Sequence, residues 1–449
     1  MLRRLRMSID SQKLAMTFRQ IVLMNFGFFG IQYSFGLQQT AINPIFTFLN
    51  ADPGELPILN MAGPITGLLV QPLIGALSDR TWVNGLGRRR PYFLIGAIGC
   101  SICLFFYPHV TALWMAVLLL WLLDISNNTA MEPYRAFIAD KLPVNQQPTG
   151  FLMQSVFTGL GITLANVSLY FFQQWMGGES STGIPYWVYG SFYIGAVCSI
   201  GSVLVTVFST KENRPSDEEL AAMRAQPHGL GVAIRDIAAA IKEMPKPLWQ
   251  LALVYLFQWY AMFIYWQYIT LNIAKSVWNA EQGDKHLYEQ AVGWTGLVNG
   301  WYNIVTFVSA FGLMVLARKY QAKYVHAFSI SLAALAMLIL PHITNKFLLF
   351  IPMIGFGIAW ASIMGVPFLI AVAEVPKERY GVYMGIINMM IVIPMLIETV
   401  TFGFIFDHFL GGDPHNAMMF GGVLMALAAV ATLRVQTSQR PENDLEAKV

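Results

Sequence analysis

The sequence predicts an all-α membrane protein that crosses the bilayer twelve times, in two pseudo-symmetric six-helix halves. Three observations carry that expectation. Of the 449 residues, 56% are hydrophobic and only 12% are charged, whereas a soluble domain carries roughly 25% charged residues. The apolar residues fall in blocks such as 91–107, 186–208 and 323–341, each long enough to cross a hydrocarbon core of roughly 30 Å. The basic residues gather in every second loop between those blocks.

Reading from the start, MLRRLRMSIDSQKLAMTFRQ is basic and polar. It has no short apolar stretch followed by a small-residue cleavage site, so no removable signal peptide is expected. Spans then follow near 20–48, 56–78, 91–108, 112–138, 150–175 and 186–208, and again near 248–274, 291–317, 323–341, 346–372, 380–406 and 416–434. With both termini on one side, that side holds all of the 28 Lys and Arg residues except Lys275, Lys285 and Lys346. The positive-inside rule makes it the cytoplasm. Cys100, Cys103 and Cys198 fall inside spans, where an odd set of three reads as small apolar residues and not as a disulfide framework. A formal charge of +3 distributed in this way points to membrane orientation and to no nucleic-acid partner.

The longest break, 209–247, contains KENRPSDEEL and reads as a cytoplasmic linker with one or two short surface helices. It separates an N-terminal half, 1–208, from a C-terminal half, 248–449. Landmarks recur between the halves: Asn60 precedes Asp79-Arg80 as Asn299 precedes Arg318-Lys319, and Pro133 precedes Asp140 as Pro367 precedes Glu374, at matching spacings. Two parallel six-span repeats are the organisation of major facilitator transporters, whose cargo site lies between the halves near the midplane.

Between the second and third spans lies Ser78-Asp79-Arg80 through Gly87-Arg88-Arg89-Arg90-Pro91. Glycines let this chain turn, and Pro91 can start the next helix. The arginines anchor orientation. Beyond that, Asp79, Arg80, Arg88, Arg89 and Arg90 are expected to make charge-assisted contacts to neighbouring helix ends that latch one conformation, with Asp140 and Glu374 as matched gate acids.

Ionisable groups inside spans are costly and mark sites. Span four carries Asp124, Asn127, Asn128, Glu132 and Arg135. At 100° per residue Asn128 lies about 40° and Arg135 about 20° from Asp124, with Asn127 about 60° and Glu132 about 80° away. Such a stripe avoids lipid, so it lines a wet cavity or a helix contact. A carboxyl whose surroundings alternate between dry and wet can take up and release a proton, which makes Asp124 the expected coupling group. Glu132, nearer the cytoplasmic end, is its rival. The competing reading is a static acid paired to Arg135 that only fixes packing.

On span one Asn25, Gln32, Gln39 and Asn43 share a face within about 40°. Amides both donate and accept, so they suit hydroxyl groups. Asn299 and Asn303 repeat the pattern in span eight, and span seven offers Gln258, Trp259, Tyr260, Tyr265, Trp266, Gln267 and Tyr268. Flat apolar faces with amide rims match the C–H face and hydroxyl edge of a sugar ring, although single aromatic residues in spans more often pack or face lipid. Glu398, after Pro394, lies toward the outer end, where it either reaches interfacial water or serves as a further intramembrane acid. Nothing catalytic competes: there is no Gly-rich phosphate loop ending in Lys-Ser/Thr, no metal-site spacing among the histidines, and no cofactor beyond the proton is expected.

These residues resemble the sucrose transporters and the wider glycoside-pentoside-hexuronide:cation symporters of the major facilitator superfamily. The similar stretches are Gly30-Ile31-Gln32-Tyr33 with Leu37-Gln38, Gly63-Pro64-Ile65-Thr66-Gly67 through Leu73 into Ser78-Asp79-Arg80 and Gly87 to Pro91, and Leu123-Asp124, Asn127-Asn128, Pro133, Arg135-Ala136 and Ala139-Asp140. The resemblance implies the major facilitator fold and proton-coupled import of a disaccharide, with Asp124 protonated and Arg135 near the substrate. Two stretches differ from the plant members. Lys141 to Gln147 is nearly neutral where theirs is basic, and Gln32 to Thr40 lacks their histidine, so sucrose, maltose or a related glucoside fits. The compact loops look like a bacterial, inner-membrane member acting as a monomer. The competing functions are a sugar-binding membrane sensor that does not transport, and efflux of another small solute.

Overall fold

The structure, a computed structural model, describes residues 15–143, 146–212, 214, 241–281, 284–374 and 380–437. Among these residues twelve long helices follow one another. The first six are α1 (Phe18–Phe48), α2 (Ala62–Arg80), α3 (Arg90–Phe106), α4 (Leu113–Lys141), α5 (Gln147–Trp175) and α6 (Tyr186–Ser209). The second six are α7 (Lys246–Trp278), α8 (Lys285–Lys319), α9 (Ala322–Ile339), α10 (Phe350–Glu374), α11 (Tyr380–His408) and α12 (Pro414–Leu433). Most of the expected linker, and with it the expectation of one or two short surface helices, lies outside the described residues.

Ten stretches among the described residues are long and apolar enough to cross a membrane, and α1 and α8 are the long helices without one. Both reach the length, at 31 and 35 residues, but both carry the amide rows read from the sequence, which lower their apolar content. α3 shows the opposite extreme. Phe93, Ala97, Cys100 and Leu104 are buried while Ile95, Ile98, Ile102 and Phe105 on its other side are exposed. A helix apolar on every face belongs in lipid.

Prolines explain several boundaries. Pro91, Pro148, Pro247 and Pro414 stand in the first turn of α3, α5, α7 and α12, where the missing N–H costs nothing. The second span was expected as one helix over 56–78, yet a single turn, Leu56–Leu59, is separated from α2 at Asn60 and Met61. Pro64 is the cause, because its ring would collide with the carbonyl four residues back, that of Asn60.

Contacts divide the chain into two compact units. The first contains Met1–Ile42, Thr66–Ser168 and Phe172–Leu230, and the second Asn43–Ile65, Leu169–Phe171 and Gly231–Val449. In the first, Ile21, Met24, Phe28, Phe93, Tyr134 and Phe137 share a core. α1 and α6 approach closely there: the Gly30 N–H donates to Ser202 Oγ at 3.1 Å, and a Cβ on Gly30 would sit 2.2 Å from the Cys198 carbonyl oxygen. Small residues at such a crossing let two helix backbones meet.

In the second unit Tyr260, Ile264, Tyr268, Phe402, Phe406 and Ala417 form a core from α7, α11 and α12. The segment that includes the turn before α2 is held in this unit. Tyr268 Oη donates to the Pro53 carbonyl at 2.8 Å, and Gly54 lies against the Asp407 carboxylate with no room for a Cβ.

Candidate coupling and substrate site

In the first unit the stripe on α4 becomes a hydrogen-bonded cage. Asp124 is only 2% exposed. Gln38 of α1 donates to its Oδ1 at 2.6 Å, Thr66 of α2 donates its hydroxyl to Oδ2, and Asn128 Nδ2 reaches Oδ2 at 3.1 Å. A second ring holds the first. Gln71 Nε2 donates to Asn128 Oδ1 at 2.7 Å, Asn127 Nδ2 to Gln38 Oε1 at 3.3 Å, and Cys100 Sγ to Asn127 Oδ1 at 3.0 Å. α1, α2, α3 and α4 thus all contribute, and among the described residues no cation bonds the carboxylate.

The structure therefore brings together Asp124, Asn127 and Asn128 as expected from their spacing. It does not do so for every residue on that face. Glu132 is half-buried with its Cγ beside Gly75 of α2, and the side chain of Arg135 lies outside the described residues. On α1, Asn25 spends its amide on the Ile21 carbonyl one turn back. Among the described residues Gln32 Nε2 meets Met131 Sδ at 3.8 Å, and Gln39 is half-buried. Gln38, Thr66 and Gln71 lie in the family-like stretches but carry no site role from spacing. Gln38 stands 100° round α1 from Gln39, and the two others face Asp124 only because α2 packs there.

In the second unit the amides are tied to one another. Asn60 Nδ2 donates to Asn43 Oδ1 at 2.7 Å, and Asn43 Nδ2 reaches the Trp266 carbonyl at 3.4 Å. Tyr265 Oη donates to Asn299 Oδ1 at 2.8 Å, and Asn303 Nδ2 to the Asn299 carbonyl at 2.8 Å. Tyr265 is fully enclosed, its ring centroid 4.2 Å from that of Phe356, so in this conformation its hydroxyl serves the protein interior.

Gln258 is equally buried. Its Oε1 lies 3.0 Å from His326 Nε2, and the other ring nitrogen of His326 lies 2.9 Å from Ser362 Oγ. Among the described residues Gln258 Nε2 has no partner. His326 went unnoticed because nothing in its spacing distinguishes a core histidine from any other. Glu398 does not reach interfacial water: it is 0% exposed, and Gln267 Nε2 donates to its Oε2 at 3.3 Å.

At the loop before α3 the arginines make charge-assisted contacts, and Asp140, one of the two acids read as gates, is among their partners. Arg88 Nη2 and Arg89 Nε bond Asp140 Oδ2 at 2.5 and 2.9 Å, and Arg89 Nη1 donates to Ser78 Oγ at 2.5 Å. Burial pushes the Asp140 carboxyl up, but Arg89 and Arg88 outweigh it and hold the group below the usual range. Glu212, read as linker, takes the backbone N–H groups of Arg88, Arg89 and Arg90 at 3.0, 2.9 and 3.1 Å. A carboxylate on the free amides of a helix start is favoured by bonding and by the helix dipole.

Arg90 reaches the Val207 carbonyl at 2.8 Å and that of Gly85 at 3.0 Å. Gly87 is required at this turn, since its φ is +86° and a Cβ would sit 2.7 Å from Glu212. The side chains of Asp79 and Arg80 lie outside the described residues. Glu374 accepts from Thr437 Oγ1 at 3.2 Å.

The sequence model of the Major Facilitator Superfamily matches residues 24–399. Sucrose transport protein SUT5 of Oryza sativa is 25% identical over 478 aligned residues, which cover 93% of this chain and 88% of the relative. Sucrose transport protein SUC4 of Arabidopsis thaliana is 24% identical, covering 91% and 89%. Among solved structures, the nucleoside transporter NupG superposes with a TM-score of 0.67 at 16% identity, covering 93% of this chain and 99% of that one. The inward-open xylose transporter XylE from E. coli gives 0.61 at 14% identity, covering 96% and 99%. At such identities these two structures speak to the fold alone.

Proposed function

The chain belongs to the Major Facilitator Superfamily, and from that premise we propose that it is a proton-coupled symporter importing a disaccharide by alternating access. Sucrose, maltose or a related glucoside is the cargo. The named sucrose transport proteins among its relatives support a sugar substrate, as do the amides of α1, α4, α7 and α8. The six-plus-six duplication, the cytoplasmic termini read from the basic loops and a bacterial inner membrane belong to the same proposal.

One observation carries the coupling role: the buried Asp124 carboxyl is held by three neutral donors. Arginine is always charged and would hold a carboxylate ionised. Amides and a hydroxyl stabilise the ionised form without fixing it. The Thr66 hydroxyl can reverse from donor to acceptor when the acid carries a proton, so the cage accommodates both states with little rearrangement. Asn127 and Asn128 position the cage and offer amides to sugar hydroxyls. Arg135 stands near the substrate and Glu132 is the secondary acid, as the resemblance and their place on α4 imply. The Arg88, Arg89 and Asp140 cluster is the latch that one conformation makes and the other breaks.

Uptake into proteoliposomes tests the proposal. Wild-type protein accumulates labelled disaccharide against its gradient when the interior is made alkaline. Asp124→Asn is expected to abolish that accumulation while sugar-for-sugar exchange persists. Full accumulation by the variant removes Asp124 from the coupling role, and no disaccharide uptake by the wild type removes the substrate class.

A further inference from the structure

The second unit holds a carboxyl that the coupling scheme does not use. Glu398 stands one turn after Pro394 in α11 and is completely enclosed. Among the described residues its Oε2 accepts from Gln267 Nε2 of α7 at 3.3 Å. Among the described residues its Oε1 has no partner, and neither has the buried Oε1 of Gln267. The titratable neighbours are Tyr260 and Tyr268 of α7, whose hydroxyls are engaged with Thr401 and the Pro53 carbonyl. Asp52 and Glu55, in the turn packed against α11, are exposed. No base faces Glu398 among the described residues.

Two acceptors without a donor, on side chains already joined by one bond, have a simple chemical completion. A proton on Glu398 Oε1 lets that hydroxyl donate to Gln267 Oε1 while Gln267 Nε2 donates to Glu398 Oε2, the reciprocal pairing of an acid and a carboxamide. An ionised Glu398 would instead rest a buried charge on a single long bond. The contrast with Asp124 is direct, since three donors converge on that carboxyl.

We propose that Glu398 is a second proton-binding site, held as the neutral acid by Gln267 and tying α11 to α7. It stands independently of what the protein carries.

Infrared difference spectroscopy of the purified, detergent-solubilised protein at neutral pH tests it. A hydrogen-bonded carboxylic-acid carbonyl band is expected, absent from Glu398→Gln and kept in Asp124→Asn. The glutamine variant should fold, because its amide N–H replaces the acid O–H in the pair. A band that survives in Glu398→Gln, or that appears only when sodium is withheld, overturns the proposal. Should Glu398→Gln not fold, Gln267→Leu provides the reading: the band moves to the higher frequency of an unbonded acid, and an unmoved band overturns the proposal. Since no sugar or gradient is involved, failure here and failure of the transport reading are separate results.

Discussion

Gln38 of α1 donates its side-chain amide to Asp124 of α4 across 2.6 Å, while its carbonyl accepts from Asn127 at 3.3 Å. One glutamine therefore fastens the acid and the residue almost one turn on, and it fixes which side of α1 meets α4.

Replacing it should be costly. A hydrogen bond to a charged group contributes about 1.5–3 kcal/mol, so Gln38→Leu is expected to destabilise the ionised protein by that order. Thermal unfolding in detergent reads the loss, and gradient-driven uptake should fall with it. Unchanged stability and uptake would mean that Gln38 is a bystander.

Tyr265 separates a packing role from a substrate contact. Its hydroxyl bonds Asn299 inside the second unit, so Tyr265→Phe removes one hydrogen bond from a buried side chain, at about 0.5–1.5 kcal/mol. The expected outcome is a lower melting temperature with an unchanged KM for sugar. A raised KM with normal stability would assign the hydroxyl to the substrate instead.

The Arg88, Arg89 and Asp140 cluster should make stability sensitive to acid. Burial acts to raise the Asp140 carboxyl, but Arg89 and Arg88 leave it below its ordinary value in the folded protein. Its contribution is thus complete above the unfolded carboxylate pKa of about 3.9 and is lost as pH falls through the lower, folded value. Asp140→Asn is expected to flatten that acid limb of a stability-against-pH curve. An identical limb in the variant would place the acid sensitivity elsewhere.

Gly87→Ala tests the turn before α3. A left-handed backbone costs an L-residue roughly 1–2 kcal/mol, and here the new methyl also meets Glu212 2.7 Å away. The variant should lose at least that much stability, read by thermal unfolding. Glu212→Gln keeps the shape but weakens the three amide bonds, so a smaller loss is expected from it.

Much of the architecture was legible because a bilayer leaves a chain little choice: a long apolar stretch defines a crossing. Helical spacing likewise grouped Asp124 with Asn127 and Asn128, since neighbours on a single helix follow from 100° per residue. That rule says nothing about which side of α1 or α2 comes to meet them, so Gln38, Thr66 and Gln71, although they lie in the family-like stretches, carried no site role in the sequence. Glu212 was missed for a related reason. In sequence it is a charge in a polar break, and only the fold brings it over the amides of Arg88, Arg89 and Arg90 at the entry to α3.

Composition and apolar periodicity thus determined by themselves that this protein spans a membrane through many helices and carries a polar stripe on the fourth. The partners of that stripe, the burial of Glu398 beside Gln267 and the acids that meet the arginine loop were decided by tertiary structure. The physical reason is range: helical geometry relates residues a few positions apart, whereas the bonds around Asp124 and Glu398 join residues as many as 86 and 131 positions apart, and only packing brings those into contact.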